Sequence, residues 1–130
     1  MKMVQETKKI LGDDELGITP TCVRIPVYRG HSEAVYVELK RDYQLSDVRS
    51  LLESFPGIIV QDDIEQQVYP MPLNAIDQDE VFIGRIRRDL SNCRGLNMWV
   101  VSDNLLKGAA SNAVQIAEAL VEDRLIRRGS

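Results

Sequence analysis

Thr21-Cys22-Val23-Arg24-Ile25-Pro26-Val27-Tyr28 is followed by Arg29-Gly30-His31-Ser32-Glu33, and then by Ala34-Val35-Tyr36-Val37-Glu38-Leu39-Lys40. The first run alternates: Val23, Ile25 and Val27 share one face, while Cys22, Arg24, Pro26 and Tyr28 share the other. That period predicts a strand over 21–28. Pro26 has no N–H to give to a ladder, so the strand belongs at a sheet edge or a bulge. The second run alternates as well, with Val35, Val37 and Leu39 inward and Tyr36, Glu38 and Lys40 outward, which predicts a strand over 34–40. A short connection joins the two, so the pair reads as an antiparallel hairpin with His31 at its tip.

Working outward, residues 2–12 read as a helix with Val4, Lys8 and Leu11 on one side and Gly12 as its stop. Asp13 to Pro20 is a polar turn. Ser46 is a candidate cap for a helix carrying Val48, Leu51, Leu52 and Phe55, which Pro56-Gly57 ends. Ile58-Ile59-Val60 reads as a short buried strand, and Asp62-Asp63 after it as a solvated turn with no further metal ligand at useful spacing. Residues 65–80 hold Pro70 and Pro72 and no clear period, the mark of a long ordered arm that serves function or a partner. Strands are expected over 80–89 and 96–102, joined by Ser91-Asn92-Cys93-Arg94-Gly95. A long helix over 107–125 follows, with Ala110, Ala113, Val114, Ala117, Leu120, Val121 and Leu125 as its apolar stripe.

These elements make one α+β domain over residues 1–130, a mixed, largely antiparallel sheet with helices packed on one face. A right-handed crossover into a parallel pair fits residues 45–60. The length suits a single core. Hydrophobic content is 44% and charged content 28%, ordinary for a globular chain. A net charge of −4 argues against a nucleic-acid binder, which needs a basic surface. Arg85, Arg87 and Arg88 form one basic cluster, and Arg124, Arg127 and Arg128 another, the latter reading as a solvated face. The N-terminus is polar rather than a signal peptide, and no apolar run reaches membrane-span length. Cys22 and Cys93 lie far apart without metal or redox spacing, and with a single histidine they argue against a structural zinc site. These features fit a cytoplasmic protein.

The chemistry concentrates around His31. Imidazole takes and returns protons near neutral pH, and the guanidinium groups of Arg24 and Arg29 suit a carboxylate or phosphate. By residue type alone, the same positions also read as a turn histidine and solvated strand arginines. An extended strand would set Arg24 about 23 Å from His31, so a shared small ligand requires a bend at Pro26 or at Arg29-Gly30. Cys93 lies in a turn with no base fixed near it and is rejected as a nucleophile. Cys22 reads as a small apolar packing residue. Asn104, between the last strand and the last helix, reads as a helix cap.

The segment 21–33 resembles the active-site segment of the aspartate-semialdehyde dehydrogenase family. Lys2–Gly12, Asp79–Asp89, Gly95–Ala110 and Asn112–Glu118 are similar to elements of the same family, in the same order and spacing. The resemblance covers the family's C-terminal portion. The family's dinucleotide-binding domain has a glycine-rich loop, and no Gly-x-Gly-x-x-Gly occurs here. The family's nucleophilic cysteine would precede residue 1, so the chain reads as an excised domain that is inactive alone. The resemblance implies NADP-dependent reduction of aspartyl phosphate to aspartate semialdehyde, on the way to lysine, threonine and methionine. It implies acid–base catalysis by His31, substrate carboxylate binding by Arg24, phosphate binding by Lys2 and cofactor contact by Asn104. It leaves Arg29 as a residue behind the site, and a frayed terminus as the competing reading of Lys2. Implied partners are a second copy in a homodimer, with a tetramer for the full enzyme, and an N-terminal NADP-binding domain to which the last helix returns. With that domain away, part of the helix stripe is expected to lie bare. A free-standing oligomerisation module of the same fold, and a domain of N-acetylglutamyl-phosphate reductase, are the alternatives.

Overall fold

A computed structural model of the chain describes residues 2–122. Met1, the cluster Arg124, Arg127 and Arg128, the terminal Gly129-Ser130 and the last turn of the expected 107–125 helix lie outside the described residues. In chain order the elements are α1 (Lys2–Leu11), β1 (His31–Glu38), α2 (Leu45–Ser54), β2 (Ile58–Val60), the short α3 (Pro72–Ala75), β3 (Val81–Arg88) and β4 (Gly95–Ser102). A π-helical turn, Leu106–Ala110, then leads into α4 (Ser111–Glu122). The sheet order is β1-β4-β3-β2. The β1–β4 and β3–β4 pairs are antiparallel and β2–β3 is parallel, so the α+β class and the mixed sheet stand as expected. The parallel pair is β2–β3, joined through residues 61–80, and the crossover expected over 45–60 is present as α2, which carries the chain from β1 across the sheet to β2, a strand of the same direction.

The expected strand 21–28 is not formed. Residues 13–30 are irregular, residues 21–28 are all exposed, and the chain bends at Pro26 and at Tyr28-Arg29. The hairpin therefore does not exist. β1 begins at His31 itself and pairs with β4, a partner far along the chain, so His31 opens a strand instead of crowning a loop. Val23 is 79% exposed, which shows why the period misled. Alternating apolar side chains report a surface in need of cover, and within the described residues no strand covers this one. Cys22 is likewise exposed, with its Sγ 3.1 Å from Met3 Sδ, rather than packed inside a sheet.

Alternation in the three long strands builds two clusters, because directly paired residues project to the same face. On one face Ile83, Ile86 and Leu96 pack with Met98, Val100 and Ile58 beneath Leu45, Val48 and Leu52 of α2. On the other, Phe82 and Val101 pack with Ala75 of α3 and Trp99. Helix α2 thus caps one face, and the arm before β3 covers part of the other. Ser46 does not cap α2. The N-cap is Gln44, whose side chain makes no capping bond, and Ser46 lies inside the helix. β2 is a half-buried edge strand with Ile59 39% exposed, not a buried one.

β3 carries a bulge between Gly84 and Arg87, with Arg85 at φ 54°. The inserted residue moves the phase of the strand by one, so that Ile86, not Arg85, joins the face of Ile83. Amides freed by a bulge need acceptors. Asp62 supplies them: its carboxylate accepts from Arg85 N at 2.7 Å and from Ile86 N at 3.1 Å, and pairs with Arg49. Asp62 is thus a buried brace, its side chain 2% exposed, and not the solvated turn its sequence suggested. The arm 65–80 is held by Trp99, whose Nε1 donates to Pro70 O at 3.0 Å. It leaves Ile64 and Leu73 about as exposed as free side chains, at 76% and 80%. Helices α1 and α4 bury no residue completely. Val114 of the expected stripe is 58% exposed, in keeping with a bare α4.

Gly84 sits where only glycine fits. A Cβ there would lie 2.1 Å from Gln61 O and 2.5 Å from Pro70 Cδ. Both neighbours are backbone or ring atoms with no rotamer to yield. Gly84→Ala is therefore expected to destabilise the chain by about 2–3 kcal/mol, the upper part of the overpacking range. Urea unfolding followed by Trp99 fluorescence measures this, and an unchanged midpoint would contradict the packing described.

Candidate functional site

His31 is the first residue of β1, and its Cα partner is Ser102, the last residue of β4. Its side chain is exposed. The register places it on the same sheet face as Val35 and Val37, which pair with Met98 and Leu96. The two residues before it lie opposite the two after Ser102, and all four are tied together. Gly30 N–H donates to Asn104 Oδ1 at 2.7 Å. Arg29 Nη2 donates to Asp103 Oδ2 at 2.5 Å, and Arg29 Nη1 to Asp77 Oδ1 at 2.8 Å. Gly30 has φ 101°, a conformation a side chain resists, and a Cβ there would lie 3.5 Å from Pro72 Cβ and 3.6 Å from Ser102 O.

Asp103 is the centre of this cluster. It has no exposed surface. Oδ2 also accepts from Asp77 N at 2.9 Å, and Oδ1 accepts from Leu105 N at 2.8 Å and Leu106 N at 3.3 Å. Burial pushes its carboxyl up. The backbone donors of Asp77, Leu105 and Leu106 and then the Arg29 guanidinium pull it down, and the net effect is a carboxyl below its ordinary value of 3.8. Asp103 thereby caps the π-helical turn, the role that the sequence had suggested for Asn104. Asn104 instead accepts from the Gly30 turn through its carbonyl, and its amide makes no hydrogen bond among the described residues.

Arg24 lies in the exposed irregular stretch, past the bend at Pro26 from His31. Its guanidinium makes no ion pair among the described residues. The bends that a shared ligand would require between Arg24 and His31 are present. Lys2 stands at the start of α1 with its side chain 85% exposed and 3.5 Å from Glu6. The Met3–Cys22 contact brings the start of α1 against the stretch that carries Arg24. So His31 and Asn104 are joined by hydrogen-bonded backbone, and Lys2 and Arg24 share a neighbourhood through Met3 and Cys22. Cys93 lies at the other end of β4, before Gly95, while His31 faces Ser102. The strand between them spans about 23 Å, so Cys93 has no part in chemistry at His31. Among the described residues no group of His, Cys, Asp and Glu could hold a metal ion, and no helix is long and apolar enough to cross a membrane.

Sequence reasoning missed Asp103 and gave Arg29 only a background place. A signal was available: an acidic residue directly between an apolar strand and a helix start commonly accepts helix amides. Its pairing with Arg29, 74 positions away, had no local trace.

The lowered carboxyl sets a pH dependence. A group that holds its proton less tightly folded than unfolded contributes stability above its unfolded value, and loses it as pH falls through the lower folded value. Asp42, lowered by the Tyr43 amide and then by Arg88, acts in the same sense. The unfolding midpoint is expected to hold from neutral pH to about pH 4 and to fall below it. Asp103→Asn is expected to be less stable at pH 7, with the gap to the parent chain closing in acid. A gap independent of pH would show that the charge of Asp103 is not what the fold uses.

The chain is similar to known proteins over most of its length. A family model described as semialdehyde dehydrogenase, dimerisation domain, matches residues 1–107. The chain is 53% identical to the aspartate-semialdehyde dehydrogenase of Bacillus subtilis over 127 residues, covering 97% of this chain and 37% of that protein. It is 52% identical to that of Legionella pneumophila over 128 residues, covering 98% and 37%. The fold matches aspartate semialdehyde dehydrogenase II of Vibrio cholerae, solved in complex with ASA, with a TM-score of 0.86 and 47% identity over 95% of this chain and 36% of that one. The chain thus spans little more than a third of the length of these relatives. With a model match over most of its length and relatives of this identity, the chain belongs to the semialdehyde dehydrogenase family, in the part of it known as the dimerisation domain.

Proposed function

We propose that this chain is the C-terminal catalytic and dimerisation domain of an NADP-dependent aspartate-semialdehyde dehydrogenase, which reduces aspartyl phosphate to aspartate semialdehyde. The identity of about half its residues to such enzymes carries the reading. An exposed imidazole at the end of a hydrogen-bonded strand, and cationic groups beyond a bend, support it.

Each residue then has a task. His31 passes a proton to or from the reacting carbonyl oxygen or the leaving phosphate, a role worth about 10²–10⁴ in rate. Arg24 holds the substrate carboxylate by a two-point contact, for which its planar fork is suited. Lys2 meets the phosphate as a point charge. Asn104 fits a contact to the nicotinamide carboxamide, because its carbonyl is engaged by Gly30 while its amide has no partner among the described residues. When bound, the cofactor supplies the hydride; its phosphate loop and the nucleophilic thiolate belong to segments outside this chain. Cys22 and Cys93 do not replace that thiolate: the first stands against Met3, the second at the far end of β4. The arm with Ile64, Tyr69 and Leu73 exposed fits burial against a second copy, in a homodimer.

In the full-length enzyme, His31→Asn is expected to lower kcat by about 10²–10⁴ while leaving the fold intact. The 130-residue chain alone, given semialdehyde, phosphate and NADP, is expected to turn over nothing above background. Sedimentation of the chain is expected to show a dimer. Activity of the isolated chain, or full kcat without the imidazole, would overturn the catalytic assignment; a monomer at high concentration would overturn the dimer.

A further inference from the structure

The His31 imidazole makes no hydrogen bond among the described residues, and His31 is the first residue of an edge strand. Its backbone is set on one side by its pairing with Ser102 and on the other by the turn that precedes it. Every hydrogen bond found on Arg29 and Gly30 leads to Asp103, Asn104 or Asp77. Asp77 is itself held through its backbone N–H by Asp103. The buried carboxylate thus fixes both the guanidinium and the loop that receives the guanidinium's other nitrogen. Gly30, at φ 101°, lets the chain make this turn without the cost that a side chain would add.

We infer that Asp103 and Arg29 are positioning residues for His31: their ion pair fixes the turn at Gly30 from which β1 starts, and so fixes where the imidazole is carried. Neither need touch substrate. Arg29 is occupied on two nitrogens by carboxylates of the chain itself, which separates its role from that of Arg24. The inference rests on the proposed catalytic role of His31.

The test is a double-mutant cycle in the full-length enzyme, using semialdehyde, phosphate and NADP. Asp103→Asn is expected to lower kcat by about 10²-fold, the effect of displacing a reacting group by about an ångström, with KM moving little. In a His31→Asn background the same substitution is expected to cost almost nothing, because its effect has already been lost. Arg29→Met is expected to behave as Asp103→Asn does, and Arg29→Lys to recover part of kcat. An equal loss in both backgrounds would falsify the positioning role and leave Asp103 a general brace. So would an unchanged kcat in Asp103→Asn. If Asp103→Asn does not fold, the cycle is run with Arg29→Met, whose partly exposed side chain carries the same reasoning. A normal kcat in His31→Asn alone would instead overturn the proposed function, so the two failures are told apart.

Discussion

A carboxylate with no contact with water must be answered by donors within the fold, or it is protonated or the fold opens. Asp103 is answered by three backbone amides and one guanidinium. Those donors come from three separate stretches: the turn before β1, the loop after α3, and the π-helical turn after β4. None of them is close to another in sequence except through Asp103 itself. The interaction is therefore more than a local cap. It is the point at which the interior strand β4, the edge strand β1 and the arm before β3 are forced into one arrangement, with His31 and Asn104 beside it.

The same solution appears at the other edge of the sheet. The bulge in β3 frees amides at Arg85 and Ile86, and Asp62 accepts both while engaging Arg49 of α2. In each case a loop aspartate stands within two residues of a strand's end, meets backbone donors, and takes an arginine from elsewhere in the chain as its counter-ion. Chain polarity explains why. As a strand ends, its ladder partners run out, and a short acceptor on the next residues can reach amides that the ladder no longer serves. Trp99 does comparable work for the arm through Pro70 O, with an indole donor in place of a carboxylate. The sheet is thus trimmed at its ends by side chains, and its interior is left to apolar packing on both faces.

What could be read in the sequence was what depends on nearby residues. Apolar periods gave β3, β4, α1 and α2 to within a residue or two, and the alternation at Val35 and Val37 gave the inward face of β1. The resemblance at 21–33 pointed to His31 before any coordinates, but it could not say that the segment ahead of His31 is irregular. Val23, Ile25 and Val27 alternate as strand residues do, yet they face outward, because period-two patterning records that a face is to be covered and not what covers it. Asn104 and Asp103 are adjacent and both suit a cap; only the paired end of β4 decides that Asp103 turns to the helix and Asn104 to Gly30. Arg29 was undervalued for a similar reason, since both its partners lie far along the chain.

The difference between a hairpin tip and a strand start has consequences for chemistry. At a hairpin tip, His31 would move with a loop, and its place would depend on the turn alone. As the first residue of β1 it is paired with β4, an interior strand flanked on both sides, so its register comes from the best-supported part of the sheet. Yet it stands at that strand's open end, exposed, where a ligand or another domain can approach. Arg24 gains the opposite property: beyond the bend at Pro26 it is free of the sheet and able to follow a ligand. A proton-transfer group needs a fixed position to within a fraction of an ångström, whereas a charge that gathers substrate tolerates movement. Holding the histidine on the ladder and leaving the arginine off it gives each the mechanical setting that the task proposed for it requires.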